Sequence, residues 1–302
     1  MEIEIIVSVL RATLRQSTPI TLGALSGIFC ERVGVVNIAI EGMMLSAAYA
    51  GFMTNVFTGN LLLSVLVAML TGGLMGLLHA LLSVTFKVDQ IISGTVINIL
   101  AIGSTGYFYQ AGATTKGKLT PIIIPILSDL PIVGDVLFKN PPITYTAIAM
   151  VFITAFVLFR TKWGLRTRAV GEHPGAADTV GINVYRMRYF NVIIGGMIAG
   201  LGGAFLTLEA VGSFERLITN GRGFISLAAV IFGKWNPFGA WTAALLFGFA
   251  NALQTQLQFS GVLDIPHEFI GMLPYLLTVL VLAGFVGRAR PPAALGQPYE
   301  TE

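Results

Sequence analysis

Glu41 is the first residue whose type and place could do chemistry. It stands in the run Val35-Val36-Asn37-Ile38-Ala39-Ile40-Glu41-Gly42-Met43-Met44, where Asn37 is the other side chain with hydrogen-bonding power. A carboxylate within an apolar span costs about 2.5–3.5 kcal/mol on insertion scales, so it must face a cavity or a partner rather than lipid. Asn37 lies four residues earlier, on the same face of a helix. Two kinds of role fit equally: lining a polar path, or a structural place, with a hydrogen bond that pins two helices or a Glu close enough to the interface to hydrate. A second set is the amides Asn98, Gln110, Asn251, Gln254 and Gln258, each in an apolar stretch. The last three fall at i, i+3 and i+7, one stripe of a helix. A polar stripe suits a water-filled path for an uncharged polar solute, whereas a lone amide more often makes an interhelical bond worth about 0.6 kcal/mol. The stripe together with Asn98 tips the reading toward a path lined by Asn98, Asn251 and Gln254, with both roles still open for Asn37 and Glu41.

A third constellation is the polar segment Gly164-Leu165-Arg166-Thr167-Arg168-Ala169-Val170-Gly171-Glu172-His173-Pro174-Gly175-Ala176-Ala177-Asp178-Thr179-Val180-Gly181-Ile182. Pro174 suits the first turn of a short helix, Ala176 and Ala177 favour continuing it, and Gly181 can end it. A small-residue helix between basic flanks fits the groove of a cytoplasmic partner. A plain solvated connector is the competing reading, and the internal start and stop signals favour docking. Other arrangements fail. The run Gly112-Ala113-Thr114-Thr115-Lys116-Gly117-Lys118-Leu119 approaches a phosphate loop, but Leu119 stands where Ser or Thr must hold magnesium. The Gly195–Gly203 cluster sits in an apolar span, and His79, His173 and His267 are scattered, with His79 read as helix packing or a hydrogen bond. No serine occupies a nucleophile elbow, so no enzyme constellation, metal site or bound cofactor is expected.

The elements that must position these residues are membrane helices. Of 302 residues, 55% are hydrophobic and 11% charged, against about 25% charged in a soluble domain. Such a chain cannot cover itself with a water-soluble surface. The net charge of +3 gives no basis for nucleic-acid binding, and the single Cys30 excludes an intrachain disulfide. Glu2 and Glu4 stand where a signal peptide needs basic residues, so insertion is expected to use the mature helices.

A span needs about 20 apolar residues. Residues 42–86 lack Asp, Glu, Lys and Arg and hold two spans around a Thr58-Gly59-Asn60 turn; further uncharged runs are 90–115, 140–159, 189–208, 235–263 and 269–287. The runs 16–30 and 223–233 are too short to cross unaided and are expected to be tilted, broken or re-entrant. The fold class is therefore all-α: a polytopic bundle of roughly 8–10 spans with one or two short or broken helices. Residues 1–287 form one transmembrane domain, and 288–302 a Pro-rich tail expected to be disordered.

Arg160, Lys162, Arg166, Arg168, Arg186 and Arg188 mark 160–188 as cytoplasmic, and Arg288 and Arg290 place the tail on the same side. Alternation puts Lys87 and Lys234 inside and 113–141 outside, while Arg11 and Arg15 argue for an inside N-terminus. Small-xxx-small pairs, Gly72/Gly76 and Gly196/Gly200, predict close helix approach.

Three segments together resemble a known family. Residues 31–44, Glu31-Arg32-Val33-Gly34 continuing through Met44, are similar to the N-terminal signature of nucleoside-type permeases of ABC importers, within the wider group that carries simple sugars and branched-chain amino acids. Val170–Ala177 resembles the group's coupling segment, with His173 where Asn is commoner. Gly221–Pro237 resembles its late signature. The first motif points to the nucleoside branch; the other two recur across the group.

The resemblance implies a permease in a bacterial or archaeal cytoplasmic (inner) membrane. It implies a second permease chain, commonly non-identical, two cytoplasmic ATPase domains holding ATP and Mg, and an extracytoplasmic solute-binding protein. Gly171, Glu172, His173, Pro174, Ala176, Ala177 and Gly181 would then meet the ATPase and transmit its motion. A sugar or branched-chain amino-acid permease is the runner-up. An ion-coupled secondary transporter is the rival from another class, set back because no internal repeat shows and Glu41 is the one evident intramembrane carboxylate.

Overall fold

The computed structural model describes residues 2–260, 272, 276 and 289–300. The described residues form eleven α-helices: α1 (Glu2–Arg32), α2 (Ile40–Thr58), α3 (Leu61–Ala80), α4 (Gln90–Tyr107), α5 (Val133–Leu137), α6 (Pro142–Arg160), α7 (Lys162–Glu172), α8 (Pro174–Thr179), α9 (Val184–Ala204), α10 (Arg222–Phe232) and α11 (Pro237–Ser260). Two-residue strands β1 (Ile122–Ile123) and β2 (Lys139–Asn140) pair antiparallel in the long connection between α4 and α6. α3 and α9 each run on into a π-helical turn, Leu81–Thr85 and Phe205–Val211. The all-α bundle expected from composition is present. Among the described residues, three helical units are long and apolar enough to cross a membrane: Leu61–Thr85, Pro142–Arg160 and Val184–Val211.

Local signals set the helix ends. Gly59 closes α2 at φ 69° with its N–H on the Asn55 carbonyl, and the Asn60 side chain then accepts from Leu63 N–H to open α3. Asp89 accepts from the Ile91 and Ile92 N–H groups at the start of α4. Thr161 and Asn183 do the same for α7 and α9. The short run 16–30 is not a separate element: it is the inner half of the 31-residue α1. The run 223–233 is the short α10, packed on α1, α11 and α2.

α1, α2 and α9 pack on one another at the centre, with α9 buried along most of its length. α3 lies antiparallel on α9 with the two backbones in contact. A Cβ on Gly72 would strike the Gly196 carbonyl and Gly200, and one on Gly76 would strike the Val192 carbonyl. The small-residue pairs therefore face each other.

The ends of the helices sort onto two faces. One carries 160–183, Lys87, Lys234 and residues 289–300. The other carries 108–141 and 212–220, where Thr115 N–H meets the Gly212 carbonyl at 2.9 Å. Arg11 and Arg15 lie on this second face, against the expectation from the loop charges. Arg11 pairs with Asp135 at 3.3 Å and Arg15 donates to the Ala210 carbonyl at 2.8 Å, so local acceptors hold these cations. Lys139, at 2.8 Å, and then Arg11 keep Asp135 below the usual carboxylate range. The contact therefore persists above that range and is released only as pH falls through the lowered pKa. The tail also departs from expectation: residues 289–300 are packed against the first face rather than disordered.

The glycine seam gives a direct test. Gly196→Val should lower stability by about 1–3 kcal/mol or more through overpacking, read as a fall in the thermal midpoint in detergent. Gly103→Ala, where a Cβ meets nothing within 4 Å, is the matched control. Equal midpoints for the two variants would refute the seam.

Candidate functional site

Residues 33–39 leave helical geometry although the chain is still inside the bundle. Arg32 ends α1, yet Ile40 packs against Gly23 and Gly27 of that helix, so the chain has climbed back roughly 10 Å along α1. Polar backbone at such depth needs partners. Three side chains supply them. Gln90 Oε1 accepts from Val36 N–H at 2.6 Å. His79 Nε2 meets the Val36 carbonyl at 2.9 Å and Nδ1 meets Ser93 Oγ at 3.0 Å. The carbonyl can only accept, which assigns the ring proton to Nε2 and makes Ser93 the donor to Nδ1. Asn98 accepts from Gly42 N–H at 2.7 Å and donates to the Ile38 carbonyl at 3.0 Å.

Glu41 is buried in the first turn of α2 and reaches the start of α10. Its two oxygens accept from Gly221 N–H at 2.8 Å and Gly223 N–H at 2.7 Å. These are N–H groups that a helix start leaves without an internal partner. The positive ends of the α2 and α10 dipoles both meet the carboxylate. A Cβ on Gly223 would strike the Glu41 backbone, so glycine there lets the two helix starts touch. Asn37 is fully buried beneath, its Nδ2 3.2 Å from Cys30 Sγ and its Oδ1 without a partner among the described residues.

Asn37, Glu41 and Asn98 thus meet at one junction, and two of the three serve backbone groups rather than an open path. Asn251 and Gln254 lie half-buried on α11, which packs chiefly on α1, α10 and α6; Asn251 Nδ2 bonds its own helix at the Phe247 carbonyl, 3.0 Å away.

Several contributors escaped the sequence reading. Gln90 and His79 were not placed beside Val36. Glu209, one residue past an uncharged run, is a second deeply buried carboxylate; it accepts from Ile143 N–H at 2.8 Å and Thr144 Oγ1 at 2.6 Å and so caps α6 behind Pro142. Trp235 Nε1 donates to Glu31, and Arg32 Nε donates to the Trp235 carbonyl at 2.9 Å, tying the inner ends of α1 and α10 together. On the second face a cavity of about 450 Å³ lies between α1, the end of α9 and the start of α10, with Arg15, Gln16, Phe205 and Arg222 in its wall. Pockets of about 300–1,000 Å³ suit small-molecule ligands.

The opposite face carries the loop constellation. α8 begins at Pro174 and ends before Gly181, whose φ is 81°. His173 Nδ1 accepts from Ala176 N–H at 3.4 Å, the capping bond an Asn would supply there. Glu172, His173, Gly175 and Ala176 are exposed, beside exposed Leu165 and Val180, while Gly171 and Ala177 are buried. The loop thus presents a short capped helix and two apolar side chains to solvent.

Residues 9–282 match the family described as branched-chain amino acid transport system / permease component. The chain is similar to the guanosine ABC transporter permease protein NupQ of Bacillus subtilis, 44% identical over 98% of each chain. It is similar to the nucleoside ABC transporter permease protein NupC of Lactococcus lactis, 40% identical over 94% of this chain and 93% of that one. The putative glucose ABC transporter permease protein TsgC13 of Haloferax volcanii is 36% identical over 97% of each chain. No solved structure matches the chain.

The Glu41 bridge predicts a graded series. Glu41→Ala leaves the Gly221 and Gly223 N–H groups unpaired, a loss of about 1–3 kcal/mol for each. Glu41→Gln keeps one acceptor and should fall between. Thermal unfolding in detergent, with hydrogen exchange at Gly221 and Gly223, reads the order; three equal midpoints would dismiss the bridge.

Proposed function

The chain belongs to the permease-component family of branched-chain amino acid transport systems, and on that footing we propose that it is the membrane-spanning subunit of an ATP-driven nucleoside importer. The observation that carries the reading is its similarity over nearly the whole chain to two permeases whose names specify guanosine and nucleoside transport. As a permease component it is a transport subunit, and ATP hydrolysis belongs to a separate chain that holds ATP and Mg.

In this reading the working unit contains a second permease chain, a cytoplasmic ATPase and an extracytoplasmic solute-binding protein, in the cytoplasmic membrane. The exposed elements α7 and α8 dock the ATPase, with Glu172, His173, Pro174 and Ala176 at the contact and Gly171, Ala177 and Gly181 shaping it. The outer cavity with Arg15, Gln16 and Arg222 receives solute from the binding protein. Its donors match the acceptor-rich edge of a nucleobase, and Phe205 adds an aromatic wall. Asn37, Glu41 and Asn98 shape the path at the broken junction, and Asn251 and Gln254 flank it on α11. Alternating access then requires the junction and α10 to shift together when the ATPase closes. A sugar importer is the second reading, favoured by the likeness to the putative glucose permease.

Affinity capture of the tagged chain in mild detergent should recover an ATPase subunit and a second permease. Uptake of labelled guanosine in cells expressing the recovered set should be competed by unlabelled nucleosides and not by glucose. Competition by glucose alone would transfer the chain to the sugar reading, and uptake driven by a proton or sodium gradient without ATP would reject the importer. Glu172→Lys reverses the charge at the proposed ATPase contact. It should leave the chain inserted and reduce uptake by about tenfold, the scale of a 1.4 kcal/mol coupling loss; normal uptake by that variant would remove α7 and α8 from the coupling role.

A further inference from the structure

Residues 289–300 return to the first face and bind four separate parts of the bundle. Ala294 N–H donates to the Gly171 carbonyl at the end of α7, 2.9 Å, and Gly296 N–H donates to the Gly34 carbonyl in the turn after α1, 3.1 Å. Ala293 N–H donates to Glu172 Oε2 at 3.2 Å. Arg188 Nη1, from the start of α9, donates to the Gln297 carbonyl at 2.9 Å, and the Tyr185 hydroxyl donates to the Tyr299 carbonyl at 3.2 Å. Lys87, between α3 and α4, pairs with Glu300 at 2.6 Å. All but the last of these bonds use the segment's own backbone. Pro291, Pro292 and Pro298 restrict its free conformations, which lowers the entropy lost on docking.

The junction beneath is tight. A Cβ on Gly171 would strike the Arg32 carbonyl, and one on Gly34 would come within 3.2 Å of the Ala294 carbonyl. Three backbones therefore meet here, with the Arg188 guanidinium beside Gly34: the end of α7, the turn that leads into the broken stretch, and the tail. Arg188 is buried at 1% exposure, and its Nε and Nη2 have no partner among the described residues. The Gln297 carbonyl is the acceptor that its Nη1 meets.

We infer that residues 289–300 are a strut that locks α7 to the turn at Gly34, so that displacement of α7 and α8 is delivered to the 33–42 stretch, Glu41 and α10. The inference rests on the ATP-driven importer reading for its functional half. α8 has six residues and packs chiefly on α7 and α9, so motion entering there reaches the Gly171 junction through α7 and also reaches α9 directly. With the tail in place, the junction has a third wall and moves as one body. Without it, α7 can slide over Gly34 and the stroke is dissipated.

The test uses the whole complex in liposomes, with nucleoside uptake and ATP hydrolysis read from the same vesicles. Truncation after Arg290, and separately Ala294→Pro, which removes the donor to Gly171, should leave complex yield and ATP hydrolysis near wild type. Nucleoside carried per ATP should fall by about tenfold, within the range that remote positions exert on coupling. Hydrogen exchange at residues 32–38 should quicken by about tenfold as the junction opens, a readout that holds whether or not the chain imports nucleosides. A wild-type complex that fails to couple ATP to nucleoside uptake would sink the functional reading while the exchange result still judges the strut.

Unchanged uptake per ATP in both variants would overturn the inference. So would uptake and hydrolysis falling in proportion with unchanged exchange, the mark of a merely stabilising tail. If truncation prevents folding, the pair Lys87→Cys and Glu300→Cys joined by a flexible bis-maleimide decides. A strut stays docked through the cycle and tolerates the link, whereas loss of uptake on joining would overturn it and mark a lid.

Discussion

Within a bilayer an unpaired backbone N–H or C=O costs several kcal/mol, and this chain leaves helical geometry at depth on both sides of Glu41. Residues 33–39 climb back into the bundle without helix, and α10 begins inside it at Gly221, whose φ is 77°. Glu41 joins the two breaks by accepting from both Gly221 and Gly223. Gln90, His79 and Asn98 complete the accounting on the other side of the stretch. The neighbouring helices follow from this requirement. α4 must bring Gln90 and Asn98 to the climbing chain, α3 must bring His79, and Gly94, Gly42 and Gly223 must be small enough to let backbones meet.

That requirement also explains what the sequence disclosed and what it withheld. Length, apolar runs and punctuation are local properties, so Gly59 with Asn60 marked the α2–α3 turn and Pro174 with Gly181 marked α8. The place of a carboxylate within an apolar run is equally local, and it draws attention to Glu41, whose oxygens meet Gly221 and Gly223. Its partner is 180 residues away, and no periodicity reports that Gly221 and Gly223 end up in front of it. Asn98 looked like a path-lining amide because an amide serving a solute and an amide serving a broken backbone have the same sequence signature. Glu209 was passed over because it bounds an uncharged run instead of interrupting one. The tail failed for a related reason: Pro-rich composition signals the absence of helix, and five of its six anchoring bonds come from backbone that composition cannot read.

The same geometry links the two faces. The first face presents α7 and α8, and Gly171 at the end of α7 lies against Arg32 and Gly34. From Gly34 the chain runs directly to Asn37 and Glu41, and from Glu41 through two hydrogen bonds to α10. Arg222, the first residue of α10, stands in the wall of the outer cavity. A continuous series of backbone contacts and hydrogen bonds therefore leads from α7 and α8 on one face to the cavity at the other. Broken helices bonded to one another at depth are the parts of a transporter that can adopt a second arrangement without leaving polar groups unpaired, provided they move together.

This arrangement bears on where solute is recognised. A path lined by Asn98 and Glu41 would require those groups to exchange backbone partners for solute partners, exposing Gly42, Gly221 and Gly223 N–H groups each time. The side chains free of that duty are at the outer cavity, where Gln16 and the guanidinium of Arg222 stand beside Phe205. Arg15 and Arg222 bond carbonyls there with part of their donor sets only: Arg15 uses Nη2, and Arg222 uses Nη1 toward Ile218 and Thr219. Each guanidinium has five donors, so both retain hydrogen-bonding capacity for a passing acceptor. Those spare donors, unlike the groups of the junction, can meet an acceptor without breaking a backbone hydrogen bond.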